Sequence, residues 1–248
     1  HARVYDAASH AADAIGLRVT FIIYQASSLN GGVNAALYFL EDCAHVVLFG
    51  SLLKLLNDDE LKALLGHELA HHKLWSADEG RYFVADRLLD ANACHPSAEP
   101  AHIYAYDRFR LCTEMYADRA SVIASGSLEP AIICLLKTHT EIEDPDAQAY
   151  LRQVAEVFDK SEKGPSSGTT HPELFIRARA MQMWQDDSAS CDEEAYKLIS
   201  GALEIDHLDC LDQRLVEDLT QNMLHLLLHP VFMRSESLIV HARSEERR

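Results

Sequence analysis

Long apolar runs are missing from this chain of 248 residues. The longest candidates, Val19–Tyr24 and Val46–Leu56, fall well short of the roughly 18 consecutive apolar residues that a membrane-spanning helix requires. We therefore predict a soluble chain without a membrane span. A chain of this length can bury a full hydrophobic core, either as one large domain or as a domain with an extension.

Positive charge is also scarce. The chain has 22 Lys and Arg against 39 Asp and Glu, a formal net charge of −17. Such a surface repels a phosphate backbone, so nucleic acid is excluded as a partner. An acidic surface favours solubility and is compatible with basic or unfolded polypeptide substrates.

Paired cysteines are missing as well. No Cys-x-x-Cys pair occurs, which argues against a zinc ribbon or a redox site. We interpret most of the cysteines as small buried side chains, and because no signal peptide is visible we expect the reducing cytoplasm as the location. The sequence begins at His1 rather than at a methionine, so we also expect residues upstream. The six cysteines are Cys43, Cys94, Cys112, Cys134, Cys191 and Cys210.

What the chain does contain is a His-Glu-x-x-His motif formed by His67, Glu68 and His71. Two histidines four residues apart lie on one helix face and can bind one metal ion, and Glu68 can take a proton from water at that ion. Asn57 as N-cap and Glu60 three residues later predict where the helix begins. Such a site needs a third ligand elsewhere. The competing interpretation is an amphipathic core helix with surface histidines.

Three predicted strands precede this helix, at residues 19–24, 33–40 and 45–49, where β-branched and aromatic residues are frequent. The fold class that we predict is α+β and mostly helical, with a small three-stranded sheet, an active-site helix and C-terminal helices. An edge strand beside the cleft would let an extended peptide add through backbone hydrogen bonds. Apolar residues at helical spacing predict further helices at 2–16, 76–93, 101–125, 172–185, 193–203 and 211–228.

The predicted helix 101–125 carries two acids on one face, Glu114 and Asp118. Such a pair is usually a solvated stripe, but apolar residues surround these two, and His67 and His71 lack a third ligand. Glu114 would complete the His₂Glu set of a catalytic zinc site, which leaves the fourth position for water. Asp118 could then accept a hydrogen bond from a ligand imidazole and fix its tautomer.

His171 follows a Gly- and Ser-rich stretch, and Pro172 marks the first turn of the next helix. A histidine beside a helix start serves either structure or catalysis, and the residues alone leave both possibilities open. We also predict that residues 160–170 form a mobile flap over the cleft.

Together these residues resemble the zinc metallopeptidases of the HtpX and CAAX-prenyl-protease type, a branch of the gluzincins. The resemblance runs from about Asn34 to Trp184. It rests on Asn34-Ala35 before a strand, His67-Glu68-Leu69-Ala70-His71, Glu114-x-x-Ala117-Asp118, and Thr170-His171-Pro172 followed by Arg177. The fold that it implies is a gluzincin-type metallopeptidase domain.

By this resemblance the metal ligands are His67, His71 and Glu114, with one Zn²⁺ per chain. Glu68 is the general base, and Asp118 supports the ligand shell. The resemblance thus implies the same third ligand that the spacing of acids on helix 101–125 suggested.

The resemblance also implies roles for four residues outside the metal set. Asn34 and Ala35 belong to the substrate-binding edge strand, His171 reaches the cleft to stabilise the oxyanion, and Arg177 is an accessory or structural residue of the site. Well-known members of this type carry transmembrane helices, which this chain lacks, so a prenylated or membrane-protein substrate does not carry over.

We predict two parts of the chain, a catalytic domain at residues 1–185 and a helical C-terminal extension at 186–248. The extension packs on the catalytic domain or docks a partner, and its end at Arg243–Arg248 is predicted to be frayed. Its histidines His225 and His229 are four apart but have no acid in the base position, so we interpret them as structural.

The expected function is a zinc endopeptidase that acts on polypeptides. A latent protease or a zinc-binding scaffold closed by the C-terminal helices is the alternative from another class. An aminopeptidase is less favoured: residues 31–35 lie where gluzincin aminopeptidases carry a Gly-x-x-x-Asn-like strand, but no acid is present there to bind a free α-amine.

Overall fold

The computed structural model describes residues 2–27, 32–140, 142–160, 166, 171–186, 191–201 and 204–229. The predicted class is confirmed: the fold is α+β and mostly helical, with a small three-stranded sheet ahead of the metal-motif helix. The elements are α1 Ala2–Ala14, β1 Thr20–Ala26, β2 Asn34–Leu40, β3 Cys43–Phe49, α2 Leu52–Leu55, α3 Asp58–Ser76, α4 Arg81–Ala93, α5 Pro100–Ser125, α6 Leu128–Thr140, α7 Ala147–Lys160, α8 Leu174–Asp186, α9 Cys191–Ser200 and α10 Cys210–Leu228.

The sheet has the order β1-β3-β2, with β1 parallel and β2 antiparallel to β3. A two-residue turn joins β2 to β3, so these two strands form a hairpin. In β3 the side chains of Ala44, Val46 and Leu48 are buried at alternate positions and face the core. Because β2 lies at an edge among the described strands, one of its sides is open to a further strand.

Helix α3 begins as the sequence predicts. Asn57 Oδ1 accepts hydrogen bonds from the amides of Asp59 and Glu60, and the Glu60 carboxylate accepts from the Asn57 amide, which completes a capping box. Lys137 of α6 donates to both Glu60 oxygens, at 3.0 and 2.8 Å, and both residues are buried. The start of α3 is therefore anchored to α6 by a buried ion pair.

The other end of α3 is tied to the sheet. His72 is fully buried, and its Nε2 donates to the Leu40 carbonyl at 2.9 Å. Phe39 packs against the His72 ring with ring centroids 4.9 Å apart. This histidine, next to the metal motif, has a structural role.

Helices α3 and α5 cross closely at Gly66. A Cβ at that position would lie 2.4 Å from the Ala124 Cβ and 2.9 Å from the Ala120 carbonyl oxygen. Only glycine fits there. The crossing brings the motif on α3 against the part of α5 that carries Glu114 and Asp118.

The prediction of one helix over 76–93 is wrong in its first turn. Asp78 and Glu79 have positive φ angles of 52° and 58°, followed by Gly80 at 79°, so the chain turns out of α3 and α4 begins only at Arg81. Non-glycine residues rarely adopt this conformation, and sequence spacing does not reveal it. Helices α6 and α7 are additional elements that the sequence analysis did not predict.

The C-terminal helices meet the rest of the chain at α5. Ala195 and Ile199 of α9 pack with Leu111 and Met115 of α5, and Arg108 pairs with Asp209 at 2.8 Å and with Asp212 at the start of α10. The predicted division at residue 185 stays a prediction, and Arg243–Arg248 lie outside the described residues. The apolar stripe of α10 is exposed at Leu211, Leu215, Leu219, Met223, Leu226 and Leu227.

A bilayer-spanning helix is not found within the described ranges, since none of their helices is both long and apolar enough to cross.

The Gly66 crossing gives a stability prediction. Gly66→Ala should lower the free energy of unfolding by about 1–3 kcal/mol, because the added methyl group overlaps α5. On an open helix surface the same change would stabilise by up to about 1 kcal/mol. Urea unfolding followed by circular dichroism measures the difference.

The control for Gly66→Ala is the double variant Gly66→Ala/Ala124→Gly, compared with Ala124→Gly alone. It removes the nearest methyl group and should recover part of the loss. A Gly66→Ala protein at least as stable as the wild type would contradict the close crossing.

Candidate metal centre

Three side chains from two helices converge at the α3–α5 crossing. His67 and His71 of α3 place their Nε2 atoms 3.3 Å apart. Glu114 of α5 places Oε2 3.4 Å from His67 Nε2 and Oε1 3.6 Å from His71 Nε2. Within the described ranges these residues form the one group of at least three His, Cys, Asp or Glu whose geometry could hold a metal ion. The structure thus brings together the three residues that the sequence analysis singled out.

The spacing of these atoms fits a metal ion. Tetrahedral ligands at about 2.0–2.1 Å from zinc lie about 3.4 Å from one another, close to the observed 3.3, 3.4 and 3.6 Å. Glu114 Oε2 is buried and accepts no hydrogen bond of normal geometry from the described residues, although His67 and His171 nitrogens lie 3.4 Å away. A buried carboxylate oxygen without a donor is costly unless something else neutralises it, and a cation between the three residues would do so.

His67 is oriented from behind by Asp118. Its Nδ1 lies 3.1 Å from Asp118 Oδ1, so Nδ1 donates and Nε2 faces Glu114 and His71. His71 differs, because its buried Nδ1 has no hydrogen-bond partner among the described residues. Of the two histidines, only His67 has its tautomer fixed by a carboxylate.

Asp118 is held in turn by Arg177 of α8. The guanidinium donates from Nε to Oδ2 at 2.7 Å and from Nη2 to Oδ1 at 2.6 Å, and each residue is only 3% exposed. Burial raises the pKa of Asp118, but Arg177 and His67 outweigh it and hold that pKa well below its usual range. The carboxylate therefore stays charged and keeps accepting from His67.

The pKa values of the two histidines shift in opposite directions. Burial lowers the pKa of His67, but the hydrogen bond with Asp118 and the negative charges of Asp118 and Glu114 outweigh burial and raise the pKa to about 10. For His71 burial dominates and lowers the pKa to about 4, so this ring is neutral. The two carboxylates that favour a proton on His67 also favour a metal cation in its place.

Glu68 is buried beside these residues, and burial raises its pKa to about 7. A backbone hydrogen bond from Leu37 of β2 lowers the pKa of Glu68 and partly offsets the effect of burial. A carboxyl group poised near neutral pH can accept and return a proton, as general acid–base catalysis requires.

His171 lies just ahead of α8, with Nε2 3.4 Å from Glu114 Oε2 and its side chain about half exposed. Burial lowers its pKa, so the ring is neutral near pH 7. The predicted flap falls almost entirely on residues 161–165 and 167–170, which lie outside the described residues.

One histidine of the site, His139, was not predicted from the sequence. His139 of α6 donates from Nδ1 to the Leu135 carbonyl at 2.9 Å, and its Nε2 lies 3.4 Å from Arg177 Nη1. Burial lowers the pKa of His139 to about 4, so the neutral ring can accept from Arg177. No sequence signal indicated this residue, because α6 itself was not predicted.

The cleft around these residues has a volume of about 750 Å³ and is bordered by β2. Asn34 and Ala35 lie at its rim, as the edge-strand prediction requires. Asn34 Oδ1 accepts from the Ala35 amide at 2.9 Å, so a substrate strand that pairs with this amide must displace the Asn34 side chain. Tyr106 and Arg110 of α5 also line the cleft, and the sequence analysis did not identify them.

The first third of the chain is similar to a known protein family. Residues 2–82 match the model of Peptidase family M48. Over this segment, about a third of the chain, the sequence is similar to peptidase family M48.

The M48 match contains the His-Glu-x-x-His motif but ends before Glu114, Asp118, His171 and Arg177. Searches against curated proteins and against solved structures found no significant match. These four residues are therefore assigned to the site from their positions around the motif alone.

Metal binding should release protons. At pH 7 the metal-free protein holds a proton on His67, whose pKa is raised to about 10, and a metal ion at Nε2 must displace it. We expect about one proton released per Zn²⁺ and an apparent affinity that rises about tenfold per pH unit between pH 6 and 8. Calorimetric titration in buffers of different ionisation enthalpy measures both.

Proton release is best compared between variants that also carry Glu68→Gln, because this change removes a carboxyl group whose pKa is about 7. Asp118→Asn should reduce the proton release, because it lowers the pKa of His67, whereas Asp59→Asn at the exposed start of α3 should not. Zinc binding without proton release at pH 7 would contradict the raised pKa of His67.

Proposed function

We propose that this chain is a zinc-dependent endopeptidase. The observation that carries the proposal is the spacing of His67, His71 and Glu114, which matches tetrahedral zinc ligands, next to a buried Glu68 whose pKa is raised to about 7. The match of residues 2–82 to peptidase family M48 supports metal-dependent proteolysis of a polypeptide substrate, and the geometry favours zinc with these three ligands.

The substrate peptide binds in an extended conformation along β2, whose outer edge borders the cleft. Zinc, when bound, supplies a Lewis acid that makes water acidic near neutral pH. Glu68 takes the proton from the attacking water and later passes it to the leaving amine.

His171 faces the same cleft and donates to the oxygen of the scissile carbonyl as negative charge develops there. Its lowered pKa leaves a neutral ring that still carries one N–H donor. Asp118 and Arg177 do not touch the substrate in this scheme. They hold the His67 ring in its orientation.

The acids of the cleft favour an endopeptidase over an aminopeptidase. Glu68 and Glu114 belong to the metal centre, Asp118 is bound by Arg177, and Asp86 forms an ion pair with Arg87. Among the described residues that line the cleft, no carboxylate remains to bind a free α-amine.

The position of the C-terminal helices weighs against a closed, latent enzyme. No described residue beyond Arg177 lines the cleft, so neither α9 nor α10 covers it. The described part of the extension leaves the cleft accessible.

Glu68→Gln tests the general base. The variant should retain zinc at one ion per chain but lose at least about 10²-fold in kcat/KM on an unfolded protein substrate, because the amide cannot accept the proton. Metal content is measured by elemental analysis and cleavage by a fluorescent peptide assay.

The matched control is Glu156→Gln, an exposed glutamate of α7. It should cleave at the wild-type rate. Wild-type cleavage by Glu68→Gln would rule out the assigned base.

A further inference from the structure

The cleft continues beyond the metal centre along α5. Arg110 lies one helical turn before Glu114 and, like Glu114, lines the cleft. On 3.6 residues per turn the two residues share a helix face and lie about 6 Å apart along the axis. A guanidinium group therefore faces the cleft close to the metal ligands.

Arg110 differs from the other arginines of α5 in having no carboxylate partner among the described residues. Arg108 pairs with Asp209 and Asp212, and Arg119 pairs with Asp192. No described carboxylate lies within 4 Å of the Arg110 guanidinium. The absence is notable in a chain with 39 acidic residues.

The guanidinium of Arg110 is nevertheless held in place. It lies over the Tyr106 ring, 5.3 Å from the centroid, and a hydrogen bond links Tyr106 to Asp90. Burial raises the pKa of the nearby Asp107, and the positive charge of Arg110 partly offsets this, although the two side chains form no ion pair. Arg87, the neighbouring cation in the cleft, is already neutralised by Asp86.

A positioned, half-buried guanidinium without a partner is suited to a carboxylate from outside the chain, since the two groups form paired, charge-assisted hydrogen bonds. Extended residues advance about 3.3 Å each, so the 6 Å offset from Glu114 corresponds to about two residues of a bound peptide.

We propose that Arg110 forms a subsite for a substrate carboxylate, about two residues from the scissile bond. The carboxylate comes from an Asp or Glu side chain of the substrate. This inference rests on the proposed endopeptidase function, because it assumes that the peptide lies along β2 next to the metal centre. It adds a substrate preference that the metal site does not specify.

The test uses ten-residue peptides of uncharged sequence in which one position carries Glu, Gln or Lys. The substituted position is moved through the three residues on each side of the cleavage site, and each peptide is made as a free acid and as an amide. Cleavage is measured as kcat/KM on the wild-type, zinc-loaded protein, and binding as Kd on its Glu68→Gln variant.

At one position Glu should be preferred over Gln by about tenfold or more in both measurements. A preference for free acids over amides, with no preferred internal position, would overturn the inference, because a substrate C-terminus held there would make the enzyme an exopeptidase. Equal kcat/KM and Kd for the Glu, Gln and Lys peptides would overturn it as well.

Variants then assign the preference to Arg110. Arg110→Gln should abolish it, Arg110→Lys should retain part of it, and Arg110→Glu should favour the Lys peptides. Arg81→Gln removes an exposed arginine of α4 outside the cleft lining and should leave the preference unchanged. Zinc content and thermal unfolding are measured for each variant, because a loss of metal would act on Glu and Gln peptides alike. An unchanged preference in Arg110→Gln and Arg110→Glu would overturn the assignment.

Failure of the subsite and failure of the proposed function give different results. If peptides are cleaved at equal rates whatever their charge, the endopeptidase stands and the subsite is wrong. If the zinc-loaded protein cleaves no peptide and its Glu68→Gln variant binds none, both are wrong.

Discussion

The Arg177 guanidinium is the point at which four helices of the site are connected. From α8 it clamps Asp118 of α5, Asp118 accepts from His67 of α3, and His139 of α6 lies against its remaining nitrogen. Arg177 and Asp118 are each only 3% exposed, and loss of one partner of a buried ion pair typically costs about 3–5 kcal/mol. The orientation of His67 thus depends on the packing of α8 against α5.

The same charges serve stability and chemistry. Burying Glu114 and Asp118 near Glu68 is unfavourable without compensation, and Arg177 supplies it for Asp118. Glu114 has only weaker partners, with His67, His171 and Arg177 nitrogens between 3.4 and 3.8 Å from Oε2. In the metal-free protein the proton on His67 balances the charge of Glu114. A divalent cation that displaced this proton would be held by the same carboxylate.

Local patterns made part of this structure predictable. The capping box at Asn57, the four-residue spacing of His67 and His71, and the acid pair on α5 depend on neighbouring residues, and sequence shows such relations directly. The fold class and the order of sheet and helix followed from the same patterns.

What the sequence could not show depends on contacts between distant segments. The turn at Asp78 and Glu79 is a backbone conformation that their residue types do not indicate. His139 gains its role only because α6 packs beside α8, and Arg110 is distinctive only because no acid from the described part of the chain reaches it. The apolar stripe of α10 looked like a packing face, yet in the described residues it is exposed. Spacing along a helix identifies a face but not what covers it.

The central claim is a zinc ion held by two helices, and anomalous scattering at the zinc absorption edge from crystals of the zinc-loaded protein tests it most directly. The account predicts one peak per chain, bonded to the Nε2 atoms of His67 and His71 and to the Glu114 carboxylate, with Asp118 still bound to His67 Nδ1 and one coordination position free of protein ligands. A peak elsewhere, a Glu114 side chain turned away from it, or no zinc at this site would contradict the account.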